Sequence, residues 1–140
     1  VYVALTAFIP MLMDTGGNAG GQASVTIIRG LSLGEIGYGD VPRIVWKELR
    51  TAVLCGGTLA AANFAKLMLF DRVGLAVALV VCFTLVAAVV MAMLVGCLLP
   101  MAAKKMGFDP AVMASPFITT IVDALSLLVY FRIAGLMLGL

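Results

Sequence analysis

Asp123 is the residue whose chemistry is hardest to reconcile with its neighbours. It lies near the middle of the stretch from Ser115 to Tyr130, SPFITTIVDALSLLVY, which is otherwise apolar enough to lie in a bilayer. A charge at the centre of a membrane helix costs about 2.5–3.5 kcal/mol on insertion scales. Helical spacing places Pro116, Thr119, Thr120, Ser126 and Tyr130 on the side of Asp123. Lipid would reject such a stripe, so it belongs against protein or a water-filled path. One carboxylate with hydroxyls a turn away suits a hard cation that keeps much of its water. The stripe therefore reads as the lining of a cation pathway. The alternative is a structural carboxylate, hydrogen-bonded inside a bundle or neutral.

A second stripe lies near the start of the chain. Between Val1–Met13 and Ile28 stands DTGGNAGGQAS, which looks like a glycine loop. A membrane requires every backbone group to be paired internally, so helix is the better reading. One helical face then carries Met11, Asp14, Thr15, Asn18, Gln22, Val25 and Arg29, beside the overlapping pairs Gly16/Gly20 and Gly17/Gly21. These GxxxG pairs permit close helix contact. A dimer seam with hydrogen-bonding glue is the alternative, and the two readings are compatible if the path lies at a dimer interface.

The elements that must hold these stripes follow from composition. The 140 residues are 64% hydrophobic and 11% charged, with mean hydropathy +1.19. A soluble domain is nearer 45–50% apolar and about 25% charged. The chain is expected to be an all-α, polytopic membrane bundle forming one domain over 1–140. A net charge of +2 without long basic runs argues against nucleic acid. With no histidine, the commonest general base and transition-metal ligand is missing, and no enzyme is expected. Cys55, Cys82 and Cys97 lie in apolar segments without a CxxC and read as small hydrophobes. The chain begins at Val1 inside an apolar run, without a signal-peptide pattern, and reads as part of a longer protein.

Four spans are expected, at about 4–31, 51–70, 74–101 and 110–138, with a surface helix at about 42–50, started by Asp40 and Pro42, that runs into the second span. Asp109 fits the N-cap and Pro110 the first helical position of the last span. Pro116 then lacks an N–H inside that span and frees the carbonyl of Val112. The first and third turns hold six lysines and arginines against two in the second. The positive-inside rule puts the first and third turns in the cytoplasm.

Two motifs are set aside. Ile36-Gly37-Tyr38-Gly39-Asp40 resembles a potassium filter, but Glu35 precedes it and Pro42 and a charged helix follow. The same GxGD matches intramembrane aspartyl proteases, which need two facing carboxylates at membrane depth.

Two further motifs carry a resemblance. The first is Pro10 followed by Gly16-Gly17-Asn18-Ala19-Gly20-Gly21-Gln22 and Ile27-Ile28-Arg29-Gly30. The second is Gly107-Phe108-Asp109-Pro110 with Ser115-Pro116 and Asp123 after it. In order and spacing, from Pro10 to about Arg132, the chain resembles the transmembrane domain of the MgtE family of magnesium channels. The resemblance implies a homodimer with five helices per subunit, its pore built from the second and fifth helices of both. It implies that 4–31 and 110–138 line the conduit and that Asp123 is the central magnesium ligand. Backbone near Thr119 and polar groups near Asn18 would complete that site, and Asp109 would contribute to ion binding or gating. Asp14, Gly17, Gly21, Gln22, Pro116, Thr120 and Ser126 are the remaining pore-lining candidates.

The transported ion would be Mg²⁺, with Mn²⁺ or Ca²⁺ as other divalents, across the cell (inner or plasma) membrane. The partners would be a second copy, the lipid bilayer and the family's cytosolic sensor. That sensor (an N-terminal domain and a paired CBS module) and the first membrane helix are not in this sequence. Gly21 and Ser115 stand where relatives can have asparagine. Asp14 adds a carboxylate that would concentrate cations at the outer mouth. Other function classes are a cation-coupled secondary transporter with Asp123 as coupling carboxylate, and a non-conducting assembly module.

Overall fold

The computed structural model describes residues 2–113 and 116–139. They form α1 (Tyr2–Thr6), α2 (Ile9–Ser32), α3 (Val41–Leu69), α4 (Leu75–Lys105) and α5 (Pro116–Leu138), with 3₁₀ turns at Tyr38–Asp40 and Pro110–Met113. The architecture is an all-α polytopic bundle. α3, α4 and α5 are each long and apolar enough to cross a membrane. α2, with 24 residues, has the length but not the composition, because Asp14, Asn18, Gln22 and its glycines dilute the apolar side chains.

α4 is the hub. It has no charge from Leu75 to Ala103, so no face of it demands water, and α2, α3 and α5 all pack on it. Small residues set the approach distance. Gly96 meets the backbone of Gly20 so closely that a Cβ there would collide with the Gly20 carbonyl. A Cβ on Gly20 would lie 3.0 Å from the Ala92 carbonyl oxygen. α2 and α4 thus cross backbone to backbone, as small residues permit between membrane helices. At the far end, the Tyr130 hydroxyl donates to the Leu5 carbonyl at 2.8 Å, inside a core that includes Leu12, Leu67 and Val81.

The connections explain the ends. α2 and α4 both stop in Schellman motifs. Gly34 and Gly107 take left-handed φ of 71° and 83°, and the N–H groups of Glu35 and Phe108 return to the carbonyls of Gly30 and Ala103. Lys104 ties these ends together by donating from Nζ to the Leu31 carbonyl at 3.1 Å, where the C-terminal carbonyls of α2 favour a cation. Between α3 and α4, Arg72 is left-handed (φ 49°), and Lys66 pairs with Asp71 at 2.7 Å.

Two boundaries differ from the sequence expectation and one agrees with it. The helix that Asp40 and Pro42 start does run into the next span, unbroken to Leu69. Nothing at Leu49–Ala52 breaks it, and Glu48, expected in a polar loop, is 6% exposed against the bundle. Pro110 begins a short 3₁₀ turn rather than the last span, and α5 starts at Pro116. Pro116 therefore occupies a first helical turn, where a missing N–H costs nothing, and no carbonyl is freed inside the helix. The first helix divides in two, Ala7–Phe8 forming a turn between α1 and α2 just before Pro10. Val1 and Ser115 lie outside the described residues.

Candidate functional site: a polar cleft between α2 and α5

The two stripes meet. Asp14, Gly17, Asn18, Gly21 and Gln22 from α2 face Thr119 and Asp123 from α5 across a cleft of about 320 Å³, with Val25 at one end. The α2 residues recur at helical spacing, so one ridge supplies them all. The glycines make the hollow. A Cβ on Gly17 would sit 3.0 Å from Thr119 Cγ2 and 3.8 Å from Asp123 Oδ1, whereas one on Gly21 would meet nothing within 4 Å. Gly17 lets α5 approach, and Gly21 leaves space.

The cleft opens outward, for Asp14, Asn18, Gln22 and Val25 are all exposed on the flank of the bundle. Asp123 is half-buried at its inner wall, and its Oδ1 has no hydrogen-bond partner among the described residues. No lysine or arginine lines the space. It is an arrangement of acceptors and amides around two carboxylates, suited to a cation with its water. Among the described residues no group of three or more acidic or cysteine side chains could by itself hold a metal. A single chain supplies two carboxylates to the cleft and no cage.

The other candidates lie elsewhere. Ser126 is buried in the α2–α5 contact, its Oγ 3.1 Å from a Cβ placed on Gly16, and Tyr130 is in the core. The spacing that grouped both with Asp123 is real, but both belong to the buried ridge Ile118, Val122, Ser126, Tyr130 and Ala134. Thr120 and Pro116 are exposed beyond the cleft, and the Thr120 hydroxyl donates to the Pro116 carbonyl at 2.9 Å. Asp109 is exposed in the α4–α5 connection, where its Oδ1 accepts from the Ala111 N–H at 2.9 Å. On α2, Met11 and Thr15 turn away to a groove shared with Leu59 and Asn63 of α3. Val25 is the cleft residue absent from the ligand and lining candidates, although its place on the α2 stripe could have found it.

The glycine pairs also separate. Gly16 and Gly20 are packed inside the chain, against Val122 and Ser126 of α5 and Ala92 of α4. They are not a free seam for a second chain.

The profile of the MgtE family, described as divalent cation transporters, matches residues 9–133. The chain is 34% identical over 141 residues to the magnesium transporter MgtE of Thermus thermophilus, covering 96% of this chain and 30% of that protein. It is 33% identical over 132 residues to the magnesium transporter MgtE of Bacillus subtilis and to that of Enterococcus faecalis, covering 94% of this chain and 29% of each. The chain thus spans about 30% of the length of these curated relatives. With helices fit to cross a membrane, a cation-suited cleft and a profile match over most of its length, the chain belongs to the MgtE family of divalent cation transporters and is a multi-pass membrane protein.

Proposed function

We propose that this chain conducts hydrated Mg²⁺ along the α2–α5 cleft, and that a second copy closes the open side around a two-fold axis. One observation carries the reading: the cleft places Asp14, Asn18, Gln22 and Asp123 on an outer flank of a membrane bundle. Hydrocarbon cannot solvate that surface, so water and a second protein surface must cover it. An isologous contact brings the same residues from both chains together. Two Asp123 carboxylates would then face one ion.

Magnesium fits this chemistry because it dehydrates reluctantly and is usually held by one or two carboxylates with several waters retained. The cleft contributed by one chain, about 320 Å³ and open on one side, leaves room for an ion that keeps its water. In this reading Asp123 holds the hydrated ion through its water shell. Thr119 and Asn18 orient that water, and Asp14 concentrates cations at the mouth. Mn²⁺ and Ca²⁺ are further candidates for passage. The basic ends of α2 and α4 point to a cytoplasmic location for the Asp109 side of the bundle, in the cell membrane. Asp109 there contributes to ion entry or gating.

The test is Mg²⁺ flux into proteoliposomes holding the full-length protein. Asp123→Asn should lower flux at least tenfold while the protein still assembles as a dimer. Full flux from Asp123→Ala would end the proposal. A flux that vanishes when the proton gradient is collapsed would instead make Asp123 a coupling carboxylate of a secondary transporter.

A further inference from the structure

The head of α3 carries a feature that the cleft does not use. Arg43, Lys47 and Arg50 recur at i, i+4 and i+7, all exposed, around a hollow of about 400 Å³ that they share with Trp46. Among the described residues the ion pair found joins Lys66 to Asp71, and none engages these three. Glu35 and Asp40 also reach the hollow, but the Asp40 carboxylate already accepts from the Gly37 N–H at 2.8 Å. Three cations therefore outnumber two carboxylates, and the hollow favours an anion.

A second hollow, of about 390 Å³, continues from the same Trp46 and Arg50 along the helix. Leu49, Val53 and Leu54 line it, and it is almost wholly apolar. Val53 and Leu54 are 51% and 71% exposed, on the face of α3 turned away from α4. At the junction the Arg50 guanidinium lies 5.9 Å from the Trp46 ring centroid. α3 has 29 residues, about 43 Å of helix, against roughly 30 Å of hydrocarbon. When its apolar part spans, its first turns stand at headgroup level, where tryptophan and basic side chains are favoured.

We propose that these joined hollows bind one anionic phospholipid. Its phosphate lies against Arg43, Lys47 and Arg50, its glycerol region beside Trp46, and an acyl chain along Leu49, Val53 and Leu54. Charge complementarity selects the head and apolar continuity selects the tail. A zwitterionic lipid lacks the net charge, and inorganic phosphate shares the head chemistry but has nothing for the apolar hollow. Each cation at an anionic lipid surface contributes about fivefold to binding. The site is on α3, away from the cleft, so binding stands or falls independently of conduction.

Native mass spectrometry of the detergent-solubilised full-length protein tests this, with phosphatidylglycerol and phosphatidylcholine supplied in competition. Phosphatidylglycerol should be retained at least tenfold better. R43Q/K47Q/R50Q should lose that preference, and K66Q, at the opposite end of α3, should keep it. Thermal unfolding of the triple variant in phosphatidylcholine checks its fold. If it does not fold, R43Q and K47Q alone should each lower retention about fivefold. Equal retention of the two lipids by the native protein, or full preference in the glutamine variants, overturns the proposal. So does displacement of the lipid by inorganic phosphate as effective as displacement by short-chain phosphatidylglycerol.

Discussion

Gly16/Gly20 and Gly17/Gly21 are the same motif on the same helix, one residue apart, yet only the second pair borders the cleft. Gly16 and Gly20 are buried where α2 meets α5 and α4, and their missing side chains are filled by Val122, Ser126 and the Ala92 carbonyl. Gly17 and Gly21 face the cleft, and beyond Gly21 there is open space. A shift of one residue turns a helical face by about 100°, enough to convert a packing surface into the wall of a hollow. A small-residue pair thus states that something comes close or that something is left out, and the neighbouring helix decides which.

Substitution at the glycines should separate the two uses most sharply. Gly96→Ala, and Gly20→Ala opposite it, push a methyl against backbone that cannot rotate aside, and overpacking of this kind costs about 1–3 kcal/mol or more. Both variants should lower the thermal midpoint of the detergent-solubilised protein by many degrees, while Gly21→Ala leaves it within a degree. An unchanged midpoint for Gly96→Ala would mean that α2 and α4 do not cross there.

The next contrast lies on α5. Tyr130→Phe removes one of two donors to the Leu5 carbonyl, which also accepts from the Phe8 N–H, and losing one such bond costs about 0.5–1.5 kcal/mol. Thermal unfolding should register that loss with Mg²⁺ flux per folded protein unchanged. A smaller effect of opposite kind is expected at Ser126. Its Oγ is buried without a hydrogen-bond partner among the described residues, so Ser126→Ala should be neutral or stabilising by up to about 1 kcal/mol. Flux should persist in Ser126→Ala and fail in Asp123→Asn, though the two residues are one turn apart. Loss of flux in both would place Ser126 on the pathway. Smallest of all, Lys104→Gln removes the bond to the Leu31 carbonyl, and should cost roughly 0.5–1 kcal/mol in unfolding.

Much of the candidate cleft is legible in the sequence. Asp14, Asn18 and Gln22 fall on one ridge because a 24-residue helix has no freedom in which residues share a side. Asp123 and Thr119 follow by the same spacing. Ser126 and Tyr130 share the side of Asp123 by spacing, yet both are buried on the ridge Ile118, Val122, Ser126, Tyr130 and Ala134, a packing that spacing alone cannot supply. The start of α5 was ambiguous because Asp109-Pro110 and Pro116 are both good helix openings, and local preference cannot choose between them. The charged first turns of α3 were legible as a surface helix running into the next span, because a continuous helix longer than the hydrocarbon core keeps such charges at the membrane surface.

Composition alone made this a membrane chain, and helical periodicity alone assembled the two polar stripes, since both properties are local and survive any arrangement of the helices. That the stripes face each other, that Gly16/Gly20 is consumed within the chain while Gly17/Gly21 borders a hollow, and that Tyr130 closes the core were decided only when α4 took the centre. Those outcomes depend on crossing angles and approach distances between helices far apart in sequence, which one helix's spacing does not encode.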